Sequence, residues 1–157
     1  FRFQWKFSLG AILSLVHDVI MVLGVFALFQ IPFDLTTLAA VLAIIGYSLN
    51  DTIVVFDRIR ENFRLLRKAE LIENINISTT QTLLRTLATS ISTLLAVVAL
   101  MVFGGASLWG FSFALCIGVL CGTYSSVYIA SILLIWVKLT REDLIPPVEA
   151  EAVDERP

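Results

Sequence analysis

The chain has 157 residues, 58% of them hydrophobic and only 15% charged, with 11 Lys and Arg against 13 Asp and Glu. A soluble domain of this size cannot bury that much apolar surface, so a water-soluble globular fold is excluded and lipid is the expected solvent. The net charge of −2 gives no basis for a nucleic-acid partner; the information lies in where the basic residues fall along the chain.

The first residue is Phe1, with no initiator Met, no charged n-region and no small-residue cleavage site, so residues 1–6 read as the cut edge of a longer protein and a cytoplasmic lead-in. A helix needs about 20 mostly apolar residues to cross a hydrocarbon core, where unpaired backbone groups find no partner. Four segments qualify, at 7–29, 35–56, 84–103 and 108–137, and the last is long enough to tilt or project from the bilayer. Short connectors at 30–34 and 104–107 make two hairpins, and Asp34, following Pro32, is placed to N-cap the second span. In the long basic connector 57–83, Ile59, Phe63 and Leu66 recur at helical spacing among arginines. That pattern predicts an amphipathic helix lying on the cytoplasmic surface among lipid headgroups. Residues 142–157, with Pro146, Pro147, Glu149, Glu151, Asp154 and Glu155, are expected to form a disordered acidic cytoplasmic tail. The predicted fold class is an all-α polytopic membrane protein with four transmembrane helices.

Orientation follows from the basic residues. Arg2 and Lys6 precede the first span, Arg58, Arg60, Arg64, Arg67, Lys68 and Arg85 occupy the middle connector and its exit, and Lys138, Arg141 and Arg156 follow the last span. Neither hairpin tip carries one, which places both ends and the connector in the cytoplasm by the positive-inside rule.

Two stripes predict how the helices pack. In the fourth span Gly110, Ala114, Gly118, Gly122, Ser126 and Ala130 recur every fourth residue, so one face is small enough for another backbone to approach closely; Gly46 is a further candidate packing position. In the third span Ser78, Gln81, Thr82, Arg85, Thr89, Ser92 and Ala96 form a polar or small face carrying one charge. Cys116 and Cys121 fall on different helix faces and read as buried thiols, with no disulfide or metal spacing. No phosphate loop and no nucleophile with a matched base is present, so an enzyme is not expected.

Ionisable side chains inside a bilayer are costly, about 2.5–3.5 kcal/mol each on insertion scales, and mark pathways when they occur. Asp18 sits midway along the first span, Asp51 in the cytoplasmic half of the second and Arg85 just inside the third. Because the spans alternate in direction, Asp51 and Arg85 are expected to meet at similar depth, with Asp18 deeper. A carboxyl caught between an opposite charge and desolvation can exchange protons as its surroundings change. The competing reading is a static ion pair that fixes helix register. His17 is either a relay beside Asp18 or part of its hydrogen-bonded structure, and Asn50 is expected to bond across helices.

The run from Gly46 to Asn62, comprising Tyr47, Ser48, Leu49, Asn50, Asp51, Thr52, Ile53, Val54, Val55, Phe56, Asp57, Arg58, Ile59, Arg60 and Glu61 between them, closely resembles the signature of the SecF family. Leu15 to Asp18, Arg85 and Thr86 with Thr89 and Ser90, and Gly122 to Ser126 match in order. The resemblance implies a membrane fold similar to the resistance-nodulation-division transporters, of which this chain would hold the last four of six helices, without the periplasmic domain. It implies SecD and the SecYEG channel as partners, with protonmotive force pulling exported polypeptide across the bacterial inner membrane. Protons would be the coupling ion and no cofactor is implied. Asp51 matches the family's essential membrane carboxylate, Arg85 its partner arginine and Asp18 the aspartate of the preceding helix; Asp57, Arg58, Arg60 and Glu61 are read as closing the cytoplasmic end by salt bridges. The rival expectations are a proton-coupled small-solute antiporter and a purely structural scaffold of the channel.

Overall fold

A computed structural model describes residues 5–66 and 70–137. Helix α1 spans Trp5–Leu28, α2 Leu35–Leu65, α3 Leu71–Phe103 and α4 Ala106–Tyr124; a π-helical turn, Ser125–Ile129, leads directly into α5, Ala130–Trp136. Four helices are long and apolar enough to cross a membrane, the fourth being α4, the π-turn and α5 together. The fold is therefore an all-α polytopic membrane protein. The proposed acidic tail lies outside the described residues, as do residues 1–4 of the lead-in; Trp5 and Lys6 already belong to α1.

Local sequence sets the helix ends. Asp34 N-caps α2: one carboxylate oxygen accepts from the backbone N–H of Thr37 and from the hydroxyls of Thr36 and Thr37, each at 2.8 Å. These bonds, the backbone one foremost, hold its carboxyl well below the usual range, at about 2. At the other tip α3 stops at Gly104, and Gly105 takes a φ of 75°, a left-handed conformation that favours glycine.

The long basic connector does not form a separate surface helix. Helix α2 runs unbroken through it to Leu65 and α3 begins at Leu71, so the two helices, about 46 and 50 Å long, carry it between them. Ile59 and Phe63 continue the inward face of Val55 and Phe56 at helical spacing. They consequently find a protein core, with Phe7, Ile75, Ala130 and Leu134, instead of headgroups. Phe7 and Phe56 meet edge to face there, with centroids 5.1 Å apart.

A second core, nearer the hairpin tips, gathers Val22, Phe26, Ala40, Val41, Ile44 and Ala114. Helix α2 is central, packing against α1, α3, α4 and the π-turn. Its closest approach is to the small stripe of α4: a Cβ at Gly118 would collide with the Ile44 side chain, and one at Gly110 would sit 3.2 Å from Thr37 Oγ1. Ala114, Gly118, Gly122, Ser126 and Ala130 are all buried, as the sequence pattern predicts. Gly46 departs from it: it is exposed on the opposite side of α2 from Ile44 and Ser48, with open space where a Cβ would stand. Leu84, Leu95, Phe103 and Ile132 are among the large apolar side chains left outside, as a lipid-facing surface requires.

Candidate functional site

Asp18 is fully buried at the meeting of three elements. Its Oδ2 accepts from Ser48 Oγ of α2 at 2.5 Å and from Ser125 Oγ of the π-turn at 2.8 Å. Its Oδ1 lies 3.2 Å from Nδ1 of His17, whose side chain is 35% exposed and so links the buried carboxyl to the outside of the bundle. Gly122 of α4 lies beside the site: a Cβ there would stand in ordinary van der Waals contact, 3.5 Å from Ser48 Cβ and 3.7 Å from Asp18 Oδ2. The π-turn supplies the last partner. Its wide turn bonds Ala130 N–H to Ser125 O, five residues apart, and turns Ser125, Ser126 and Val127 inward together.

Asp51 stands on the same face of α2 as Ser48, one helical turn further on. It is 4% exposed, and its Oδ2 is buried without a hydrogen-bond partner among the described residues. Arg85 is close enough for its charge to act on Asp51, yet no ion pair joins them among the described residues and Arg85 is exposed. The expected salt bridge is thus replaced by an open arrangement. The reason lies in the register of α3, whose packed face is Asn74, Ile75, Ser78, Thr82, Thr86 and Ser90. Arg85, Thr89 and Ser92 sit to one side of that face, so the predicted polar stripe is only partly the buried one.

Two polar networks bind α3 to its neighbours. Tyr47 donates to Ser90 Oγ at 3.0 Å, and Ser90 is 2.6 Å from Thr123 Oγ1, which ties α2, α3 and α4. Asn62 Nδ2 donates to Ser78 Oγ at 2.8 Å and to Gln81 Oε1 at 2.9 Å. Arg58 Nε donates to the same Gln81 oxygen at 2.6 Å while its guanidinium pairs with Glu61 at 2.5 Å. Of the proposed closing cluster, Arg58 and Glu61 are therefore paired and Arg60 lies over the Phe7 ring at 5.5 Å, whereas Asp57 makes no ion pair among the described residues. Asp57, Arg58, Arg60, Glu61, Arg64 and Arg85 line a cleft of about 860 Å³ between α2 and α3. Asn50 points away from the bundle and makes no hydrogen bond to another helix among the described residues, so the bond expected of it is absent. The half-turn from Ser48 puts it on the outer side of α2.

A family model described as the C-terminal part of the protein export membrane proteins SecD and SecF matches residues 1–140. The chain belongs to this SecD/SecF family. Three curated relatives agree, each described as protein translocase subunit SecF. The one from Pseudomonas aeruginosa is 71% identical over 157 residues, which is 100% of this chain and 51% of the relative. Those from Haemophilus influenzae and Escherichia coli O157:H7 are 53% and 49% identical, each covering 99% of this chain and 48% of the relative. The chain thus spans about half the length of the curated relatives it matches.

Within the family's signature run Asp51 stands out as a charge in an apolar span, whereas Ser48, which shares its helix face and reaches Asp18, carries no such signal. Ser125 is one of four successive hydroxyl-bearing residues, Thr123 to Ser126, and its partnership with Asp18 depends on the π-turn, for which the sequence gives no signal.

Proposed function

We propose that this chain is the membrane-embedded part of a SecF-type translocase subunit. With SecD and the SecYEG channel, it would couple proton flow down the protonmotive force to movement of exported polypeptide across the bacterial inner membrane. The tips of both described hairpins then face the periplasm, with the basic region that joins α2 to α3 on the cytoplasmic side, as the distribution of basic residues supports. Protons are the only coupling species, and the chain is a transport component that performs no bond chemistry of its own.

The observation that carries this reading is Asp51: a buried carboxyl with one oxygen unpartnered, within electrostatic reach of Arg85 but not bound to it. A static structural pair would be closed and fully hydrogen-bonded, because a half-satisfied buried charge is costly. An open pair changes with the proton. The ionised carboxylate on α2 attracts Arg85 on α3, and the protonated acid does not, so each proton taken up or released biases the spacing of the two helices. The long α2 and α3 carry that bias along the bundle, and by the family's organisation to an exported domain outside this chain.

The test is protonmotive-force-dependent translocation in membrane vesicles containing the full-length protein with Asp51→Asn, alongside a check that SecD association survives. Loss of the driven step with assembly intact is expected. Unchanged translocation in assembled complexes removes Asp51 from energy coupling.

A further inference from the structure

We propose that Asp18 is a second proton-carrying carboxyl in series with Asp51, and that Ser48 and Ser125 are the positioning residues that let it hold or release a proton without unpacking the bundle. This inference rests on the relay reading of Asp51 and extends it to α1.

The hydrogen-bond inventory at Asp18 suits two protonation states. With the carboxylate ionised, the hydroxyls of Ser48 and Ser125 both donate to Oδ2, at 2.5 and 2.8 Å. With Asp18 protonated, it becomes a donor itself, and one of those hydroxyls must turn its own proton elsewhere. Ser125 has such an outlet, because its Oγ is also 3.2 Å from the carbonyl of Gly122. A single rotation of the Ser125 hydroxyl therefore exchanges one acceptor for the other, and no buried polar group is left unpaired in either state. Ser125, Ser48 and Asp18 are all at most 1% exposed, so water offers none of these bonds.

The position also suits a relay. On one side Oδ1 faces His17, a second titratable group, 3.2 Å away and partly exposed at the surface of the bundle. On the other, Ser48 and Asp51 lie one turn apart on α2, with Cβ atoms about 5–6 Å from each other. A proton passed between the two carboxyls leaves one as an ionised group and the other as a neutral acid, with no change in total charge. The elements packed against α1 carry these other titratable groups near this level: Asp51 and half-buried Tyr47 on α2, Cys121 and exposed Tyr124 on α4, and exposed Tyr128 on the π-turn. Helix α5 brings none.

The experiment is proton flux into proteoliposomes containing the full-length protein assembled with its partner subunit, measured across pH and normalised to assembled complex. Asp18→Asn is expected to lower flux at least ~10-fold. Ser48→Ala and Ser125→Ala are each expected to move the pH of half-maximal flux by about one unit, the equivalent of a tenfold change in proton affinity. Ser131→Ala, which removes another buried hydroxyl from α5, serves as the control and leaves the profile in place. If Asp18→Asn fails to assemble, the two serine variants decide. A pH profile unmoved in both reduces the Asp18 cluster to a structural clamp and overturns the proposal, as does wild-type flux from assembled Asp18→Asn. An Asp51→Asn sample run in parallel separates the two readings: flux lost there but kept in Asp18→Asn refutes this inference alone, while flux kept in Asp51→Asn refutes the relay on which it rests.

Discussion

Gly118→Ala tests the packing that holds the central helix in place. A Cβ at this position would overlap three carbons of Ile44, a side chain 1% exposed in the core between α2 and α4. Ile44 is β-branched and restricted at χ1, so it cannot swing clear; either it leaves its rotamer or α4 moves outward, taking Gly122 from Asp18 and Gly110 from Thr37. Overpacking of this kind costs about 1–3 kcal/mol. Against it stands the gain of about 0.5–1 kcal/mol from replacing a helix-interior glycine by alanine. The net expectation is a loss of up to roughly 2.5 kcal/mol in unfolding free energy. Ile44→Ala alone leaves a cavity and costs about 2–5 kcal/mol, but in the double variant the new methyl occupies part of that cavity. The double-mutant cycle should therefore show a favourable coupling of about 1–2 kcal/mol, read by reversible unfolding in mixed micelles. Single and double variants that add within about 0.3 kcal/mol would refute the close α2–α4 contact.

Two further predictions concern helix ends and the α2–α3 network. Asp34 has a depressed folded-state pKa, so its contribution is present above the ordinary value of 3.8 and is lost as pH falls through about 2. Thermal unfolding of the natural chain should consequently show a loss of stability between about pH 4 and 2 that is smaller in Asp34→Ala; an identical pH dependence in both would contradict the capping role. Asn62→Ala should cost about 1–3 kcal/mol, because it strips buried Ser78 and its exposed neighbour Gln81 of a shared donor. Glu61→Gln should cost at most about 1 kcal/mol, since its pairing with Arg58 is solvent-screened. Equal losses in the same unfolding assay would contradict this ranking.

The spans, the hairpins, the small stripe of α4 and the Asp34 cap were legible from spacing and composition, because each depends on residues near one another in sequence. The connector was misread for an instructive reason. Ile59 and Phe63 give the same amphipathic pattern whether the apolar face meets headgroups or protein, and only the position of Phe7 and Leu134 decides between them. The Asp51–Arg85 pair was legible as a proximity but not as a geometry. Rotation of α3 about its axis sets whether Arg85 closes on the carboxylate, and Ser, Thr and Ala spread around that helix do not fix the rotation. Asp18 was visible as an anomaly in an apolar span, while its hydroxyl partners come from residues 30 and 107 positions away.

Proton flux through the reconstituted full-length protein with its partner subunit, comparing the natural chain with Asp51→Asn at equal amounts of assembled complex, bears most directly on the relay. The account predicts that the imposed pH gradient drives at least ~10-fold less flux through the Asn variant, whose amide cannot take up and release a proton in this range. Flux equal to that of the natural chain would contradict it and leave the open Asp51–Arg85 arrangement as a matter of packing alone.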